Sequence, residues 1–117
     1  MPSRDPGQRL QDIIENIEAV RTFIADMSFE SFAADRKTFY AVLRALEIIS
    51  EASRRLPDDL KAKHRGVDWQ AIAAAGNVYR HEYEAVLPAV VWRTATQQLH
   101  ALEAIAREEL AQIDQAN

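Results

Sequence analysis

The chain has 117 residues, 48% of them hydrophobic, and a formal net charge of -4 at pH 7; that supports one domain with a modest core and argues against a protein that grips nucleic acid by bulk positive field. It contains no cysteine, which excludes a disulfide framework, a thiolate nucleophile and a cysteine zinc site. No apolar run reaches the roughly 18 residues of a membrane span, and the start MPSRDPGQ has no apolar leader, so the chain is expected to be soluble and cytoplasmic with no membrane partner.

Leu10, Ile13, Ile14, Ile17, Val20 and Ile24 recur at three- and four-residue steps, which predicts a first helix over about residues 7–26 with one apolar stripe. Ser28 opens a brief turn or helix whose Phe29 and Phe32 cap the core. Phe39, Val42, Leu43, Leu46 and Ile49 predict a second long helix over about residues 35–55, ended by Pro57 because the residue before a proline is pushed out of the helical region. Residues 58–63 read as a short helical turn. Gly66 then marks a break, and Asp68 is a natural N-cap for a helix beginning at Trp69. Pro88 suits the first turn of a final helix, with Val91, Ala95, Leu99, Leu102, Ile105 and Leu110 as its stripe to about Ile113. With no strand pattern, repeat or linker, residues 1–117 read as a single all-α domain, an antiparallel up-and-down bundle of four to five helices with short connections.

Charge is uneven along the chain. Arg54, Arg55, Lys61, Lys63 and Arg65 face only Asp58 and Asp59, which leaves either a local basic patch or a solvated loop. His64, His81 and His100 are too scattered, and too poorly matched with carboxylates at ligand spacing, to suggest a transition-metal site, so no metal and no cofactor are expected.

The stretch GNVYRHEYEAV, residues 76–86, stands out from this background. If the helix from Trp69 continues through it, Gly76, Arg80 and Tyr83 form one row and Asn77, His81 and Glu84 the adjoining one. Asn77 could then hydrogen-bond the His81 ring and select its tautomer. Arg80 could lean back over the space left by Gly76, since helical side chains point toward the N-terminus. An imidazole beside a permanent cation can move protons and hold a phosphate. A glycine inside a helix costs roughly 1 kcal/mol relative to alanine, so something is expected to approach the backbone closely at Gly76. Glu47 and Glu51 share a face of the second long helix and could orient the motif, or form exposed pairs with Arg44, Arg54 or Arg55. The apolar face around Trp69, Ile72 and Gly76 exceeds what an exposed helix needs, which points to an isologous homodimer with the two His81 residues near a shared axis.

RALEIISEASRRLP, DDLKAKHRGVDWQAIAAAGNVYRHEY and VVW together resemble the HepT-like branch of the HEPN superfamily, from the first helix nearly to the end. The family pattern is Arg-Asn, three variable residues, His, any residue, Tyr; Asn77, His81 and Tyr83 match it, and Gly76 stands at the arginine position. The resemblance implies the toxin of a HEPN/MNT toxin-antitoxin pair, a homodimeric, metal-independent endoribonuclease with RNA as substrate. In it His81 is general acid or base, and an arginine stabilises the phosphate. It further implies a minimal nucleotidyltransferase antitoxin that transfers AMP to Tyr83, and an orienting role for Glu51. The missing arginine has two readings: Arg80 has taken over from one turn further on, or the protein is an inactive nucleotide-, RNA- or partner-binding module.

Overall fold

The computed structural model describes residues 6–116. Helix α1 spans Gly7–Ile24 and turns Leu10, Ile13, Ile14, Ile17 and Val20 inward. Each fully buried side chain of this size contributes about 2 kcal/mol. Asp26, in the left-handed region at φ 64°, reverses the chain; a short polar side chain tolerates that conformation better than most.

Helix α2, Phe29–Ala34, starts with a reciprocal cap between Ser28 and Ser31. Helix α3, Arg36–Arg54, follows almost without a break. Asp35 caps it, accepting from the Thr38 amide at 3.1 Å, and so satisfies one of the donors every helix start leaves free. The buried residues of α3 (Val42, Leu43, Ala45, Leu46, Ile49 and Ala52) meet those of α1. Pro57 ends this stretch, and the single-turn helix α4, Asp58–Ala62, tucks Leu60 beside Leu56 in the core.

Helix α5, Trp69–His81, has Asp68 as its N-cap, accepting from the Ala71 amide at 3.0 Å. It stops at His81, and residues Tyr83–Ala85 form a single 3-10 turn. The helix therefore does not carry Tyr83 and Glu84 in its rows. Arg80 and His81 suit the negative end of the helix dipole, whereas Glu82 and Glu84 oppose its continuation.

Helix α6, Pro88–Arg93, has proline in its first turn. The expected single final helix is interrupted: residues Thr94–Gln98 adopt a π-helical turn, Leu99 bends, and helix α7 runs His100–Ala116. Two hydroxyls bond back into the preceding turn here, Thr94 to the Val90 carbonyl and Thr96 to the Trp92 carbonyl, a pattern that bends helices. The wide turn keeps Val91, Ala95, Leu99, Leu102 and Ala106 all facing inward. The chain is thus seven α-helices, no strand being present among the described residues, with α1, α3 and α7 around the main core and α5 packed on the far side of α3.

Trp92 ties α6 to α2, its ring centroid 5.2 Å from Phe32 and 6.3 Å from Phe29. Phe32 is fully buried while Phe29 stays partly exposed, so one of the two expected phenylalanine caps lies inside. An exposed ionic clamp of Arg21 and Arg107 with Glu103 and Glu18 joins α1 to α7. Among the described residues no helix is long and apolar enough to cross a membrane.

Candidate active site at the end of helix α5

Helices α3 and α5 run antiparallel, and three contacts fix their register. Ser50 on α3 donates to the Ile72 carbonyl at 2.7 Å. Two turns further along α5, Arg80 meets Glu47. Beyond the helix end, Tyr83 meets Tyr40, ring centroids 6.4 Å apart and nearly edge to face.

Gly76 belongs to the first of these contacts. It is buried, and a Cβ built on it would run into Ser50 Oγ and lie 2.8 Å from Ser50 Cβ. The close approach expected at this glycine is therefore the side chain of Ser50. This corrects the picture of Arg80 lying in a vacancy over Gly76, because Ser50 fills it.

Arg80 instead reaches across to α3. Its Nε donates to Glu47 Oε2 at 3.0 Å, and its Nη2 lies 3.7 Å from Glu51 Oε2. Glu47 also accepts from Arg44 at 3.0 Å, and Glu51 from Arg55 at 2.9 Å with Arg54 at 3.6 Å. Burial opposes the charge on Glu47, but hydrogen bonds from Arg80 and Arg44 outweigh it and hold its pKa below the ordinary value. Glu51 is lowered chiefly by its hydrogen bond to Arg55, against a smaller burial cost. Four arginines thus meet two carboxylates, and the cluster keeps a positive balance beside His81. The ion pairs expected of Glu47 and Glu51 with Arg44, Arg54 and Arg55 are present, and both carboxylates also reach Arg80 on α5.

His81 and Asn77 are exposed on α5, and no hydrogen bond joins them or engages either side chain among the described residues. The tautomer-selecting bond expected from Asn77 is not formed. Both ring nitrogens of His81 are open to an incoming ligand. Tyr83 is 44% exposed. Tyr79 is partly buried, and that burial raises its phenol pKa in spite of an opposing hydrogen bond with Thr94.

The basic stretch of residues 54–65 does not form a patch: Arg54 and Arg55 turn to Glu51, Lys61 lies 4.0 Å from Asp58, and Lys63 pairs with Glu109 on α7. Among the described residues no group of three or more His, Asp or Glu side chains is arranged to hold a metal ion. On the opposite flank of α5, an apolar groove of about 510 Å³ runs between α5 and the α6–α7 segment, lined by Ile49, Ile72, Ala75, Val90 and Leu102 among others.

Comparison with known proteins supplies the family. The Ribonuclease HepT-like family matches residues 13–109. The chain belongs to that family. A protein of Thermococcus cleftensis named Probable ribonuclease HepT is 39% identical over 94 residues, covering 80% of this chain and 86% of its own. A protein of Methanocaldococcus jannaschii named Putative RNase MJ0127 is 37% identical over 92 residues, 79% of this chain and 76% of its own. One from Caldanaerobacter subterraneus named Putative RNase TTE0752 is 33% identical over 107 residues, 92% of this chain and 96% of its own. No solved structure matches. At the arginine position of the HepT-like motif this chain has a buried contact with α3, and the cation next to His81 is Arg80.

Proposed function

We propose that this family member is a metal-independent endoribonuclease, the toxin of a toxin-antitoxin pair, that works as a homodimer on RNA. The observation that carries the reading is the contrast at the end of α5: Arg80 is anchored by Glu47 and Glu51 within a cluster of positive balance, while the adjacent imidazole of His81 has both nitrogens free. A fixed cation and an uncommitted proton carrier suit phosphoryl transfer at RNA. His81 takes the proton of a ribose 2′-hydroxyl, the 2′-oxygen attacks the neighbouring phosphorus, and the bond to the 5′-oxygen breaks. That oxygen leaves with a proton supplied by an imidazolium, either the same ring or that of a second copy, giving a 2′,3′-cyclic phosphate and a 5′-hydroxyl. Arg80 stabilises the charge on the phosphorane oxygens.

Dimerisation is supported by part of the face singled out in the sequence, since Ile72 lines the apolar groove beside α5. Gly76 and Trp69 face inward, the latter donating its indole N–H to the His64 carbonyl at 3.1 Å, so they offer little to a second copy. The apolar groove beside α5, with exposed Val90 in its lining, is the face that a second copy covers, bringing the two α5 ends together. Regulation by a nucleotidyltransferase is supported by Tyr83, whose exposed phenol attacks the α-phosphorus of ATP with loss of its proton and release of pyrophosphate. Tyr79, partly buried and with a raised pKa, is the poorer acceptor. The AMP phosphate then stands beside the arginine cluster and blocks RNA.

A second reading has one observation in its favour: Arg80 is already engaged by two carboxylates, as in a binding module that has lost catalysis. Incubating the purified protein with RNA in EDTA separates the two. Cleavage that disappears in His81→Ala supports the enzyme; intact RNA across varied substrates with retained binding supports the module.

A further inference from the structure

The catalytic reading uses only half of a stripe on α3. Arg36, Tyr40, Arg44, Glu47 and Glu51 follow one another at steps of three and four residues and share one helical face. The acidic half receives Arg80. In the other half Arg44 shares Glu47 with Arg80 and Tyr40 meets Tyr83, yet the exposed ring of Tyr40 and its flanking guanidinium groups have no role in the proton chemistry at His81.

Tyr40 is 43% exposed, yet its ring is held in place from three sides. Arg36 lies with its guanidinium carbon 5.6 Å from the ring centroid and donates to the phenol oxygen at 2.9 Å. Phe39 and Tyr83 each meet it edge on, at 5.8 and 6.4 Å. A ring exposed this much contributes little to the core, so holding it upright serves something outside the chain. Beside it is an open cleft, with Leu43 and Tyr79 beneath and Tyr40, Arg44, Arg80 and Tyr83 around it. Arg44 gives one N–H to Glu47 and keeps the rest of its guanidinium in solvent, its side chain 68% exposed. Among the described residues Glu47 is the one carboxylate lining this cleft, and it is already shared between the two arginines.

An exposed, fixed aromatic ring flanked by guanidinium groups matches a nucleobase with its phosphates. The base stacks on the ring and the phosphate meets the cations. Bases within a duplex are stacked already and present no free face, so the matching ligand is unpaired RNA. Tyr83 connects the cleft to the reacting group, standing two residues after His81. We propose that Tyr40, with Tyr83 and Arg44, forms a base-stacking subsite that holds an unpaired nucleotide next to the phosphate acted on at His81. This rests on the ribonuclease reading for its substrate class, but its binding is measurable without turnover.

The test is fluorescence anisotropy with the full-length His81→Ala chain, so that the probe is not consumed. Three probes of equal length are used: an unpaired RNA, the same RNA annealed to its complement, and an abasic ribose-phosphate oligomer. Tyr40→Leu is expected to weaken binding of the unpaired RNA roughly tenfold and Tyr40→Phe to retain it. The abasic oligomer should bind equally well with and without the Tyr40→Leu substitution, and the annealed RNA should be bound less tightly than the unpaired strand. Unchanged affinity of Tyr40→Leu for unpaired RNA overturns the subsite, as does an equal loss on the abasic oligomer, which would mean the substitution acts through fold or charge. If Tyr40→Leu does not fold, the chain with Tyr40 intact still decides: abasic and unpaired probes bound equally well overturn the proposal. Metal-free cleavage by the unaltered chain is measured in parallel. Cleavage with no dependence on Tyr40 sinks the subsite alone, whereas base-dependent binding without cleavage keeps the subsite and sinks the enzyme.

Discussion

His64 and His81 each sit beside a basic residue in the sequence, and the fold treats them in opposite ways. His64 lies in the α4–α5 connection with its Nε2 2.6 Å from Glu109 Oε2, and Lys63 takes the other carboxylate oxygen at 3.1 Å. Glu109 itself is 5% exposed. At the end of α5 the carboxylates Glu47 and Glu51 take the arginine and leave the histidine alone. In the first cluster the carboxylate binds the imidazole, which becomes a staple between a loop and α7; in the second the imidazole stays free for an outside ligand. A histidine next to a cation is therefore not yet a site, and the partner of the nearby carboxylate decides what it can do.

The sharpest way to break this comparison is to remove each ring in turn. His81→Ala is expected to lower RNA cleavage at least about 100-fold with an unchanged melting temperature, whereas His64→Ala should lower the melting temperature and leave the rate per folded molecule intact. Rates and thermal melts on the same preparations would expose a reversed assignment. Arg80→Ala should cost nearly as much cleavage, roughly 100-fold, because it removes the cation that Glu47 and Glu51 position. Full activity in that variant would show that the anchored arginine is structural.

On the buried side, Glu109→Gln should cost about 2 kcal/mol in urea unfolding at neutral pH, since it leaves the mostly covered His64 without its anion, while Lys63 stays in solvent. A smaller effect concerns acid. Burial raises the Glu109 pKa, but hydrogen bonds from His64 and Lys63 prevail and leave it below the ordinary value. Its contribution to stability is therefore complete above the ordinary carboxylate range and is lost as the pH falls through the lowered folded value. Stability measured against pH should show a shallower acid limb in Glu109→Gln than in the unaltered chain. The least effect on rate is expected from Tyr83→Phe, which keeps the edge-to-face contact with Tyr40; under the proposed regulation, intact-mass measurement after incubation with a minimal nucleotidyltransferase of the proposed partner class and ATP-Mg²⁺ should nevertheless find no added AMP, while Tyr79→Phe gains it.

Much of this was legible from local pattern. Apolar periodicity places α1 and α3 within about two residues and the cap at Asp68 places the start of α5, because both signals act inside a single turn, whereas the end of α5 at His81 had no such signal. The π turn at Thr94–Gln98 was not legible, since the stripe from Val91 to Leu102 reads as regular helix and the extra width becomes visible only against the core. At the site, Asn77, His81 and Tyr83 stand out as a motif, and Glu47 and Glu51 share a face by spacing alone. Their reach to Arg80, beyond the arginines of their own helix, depends on the register of α3 against α5, which is set by Ser50 at Gly76 and has no local signature. Glu109 escaped notice because its partner His64 is 45 residues away. Tyr40 could have been found from the spacing of Arg36, Tyr40 and Arg44, which places a ring between two cations on one face.

The seat of Ser50 against Gly76 also bears on how such a motif changes over generations. Placing an arginine at position 76 drives a side chain into Ser50, while trimming Ser50 first opens a void and frees the Ile72 carbonyl. Either single step costs packing between α3 and α5. A chain with Ser50 seated on Gly76 therefore has no room for a side chain at position 76 unless α3 and α5 repack together.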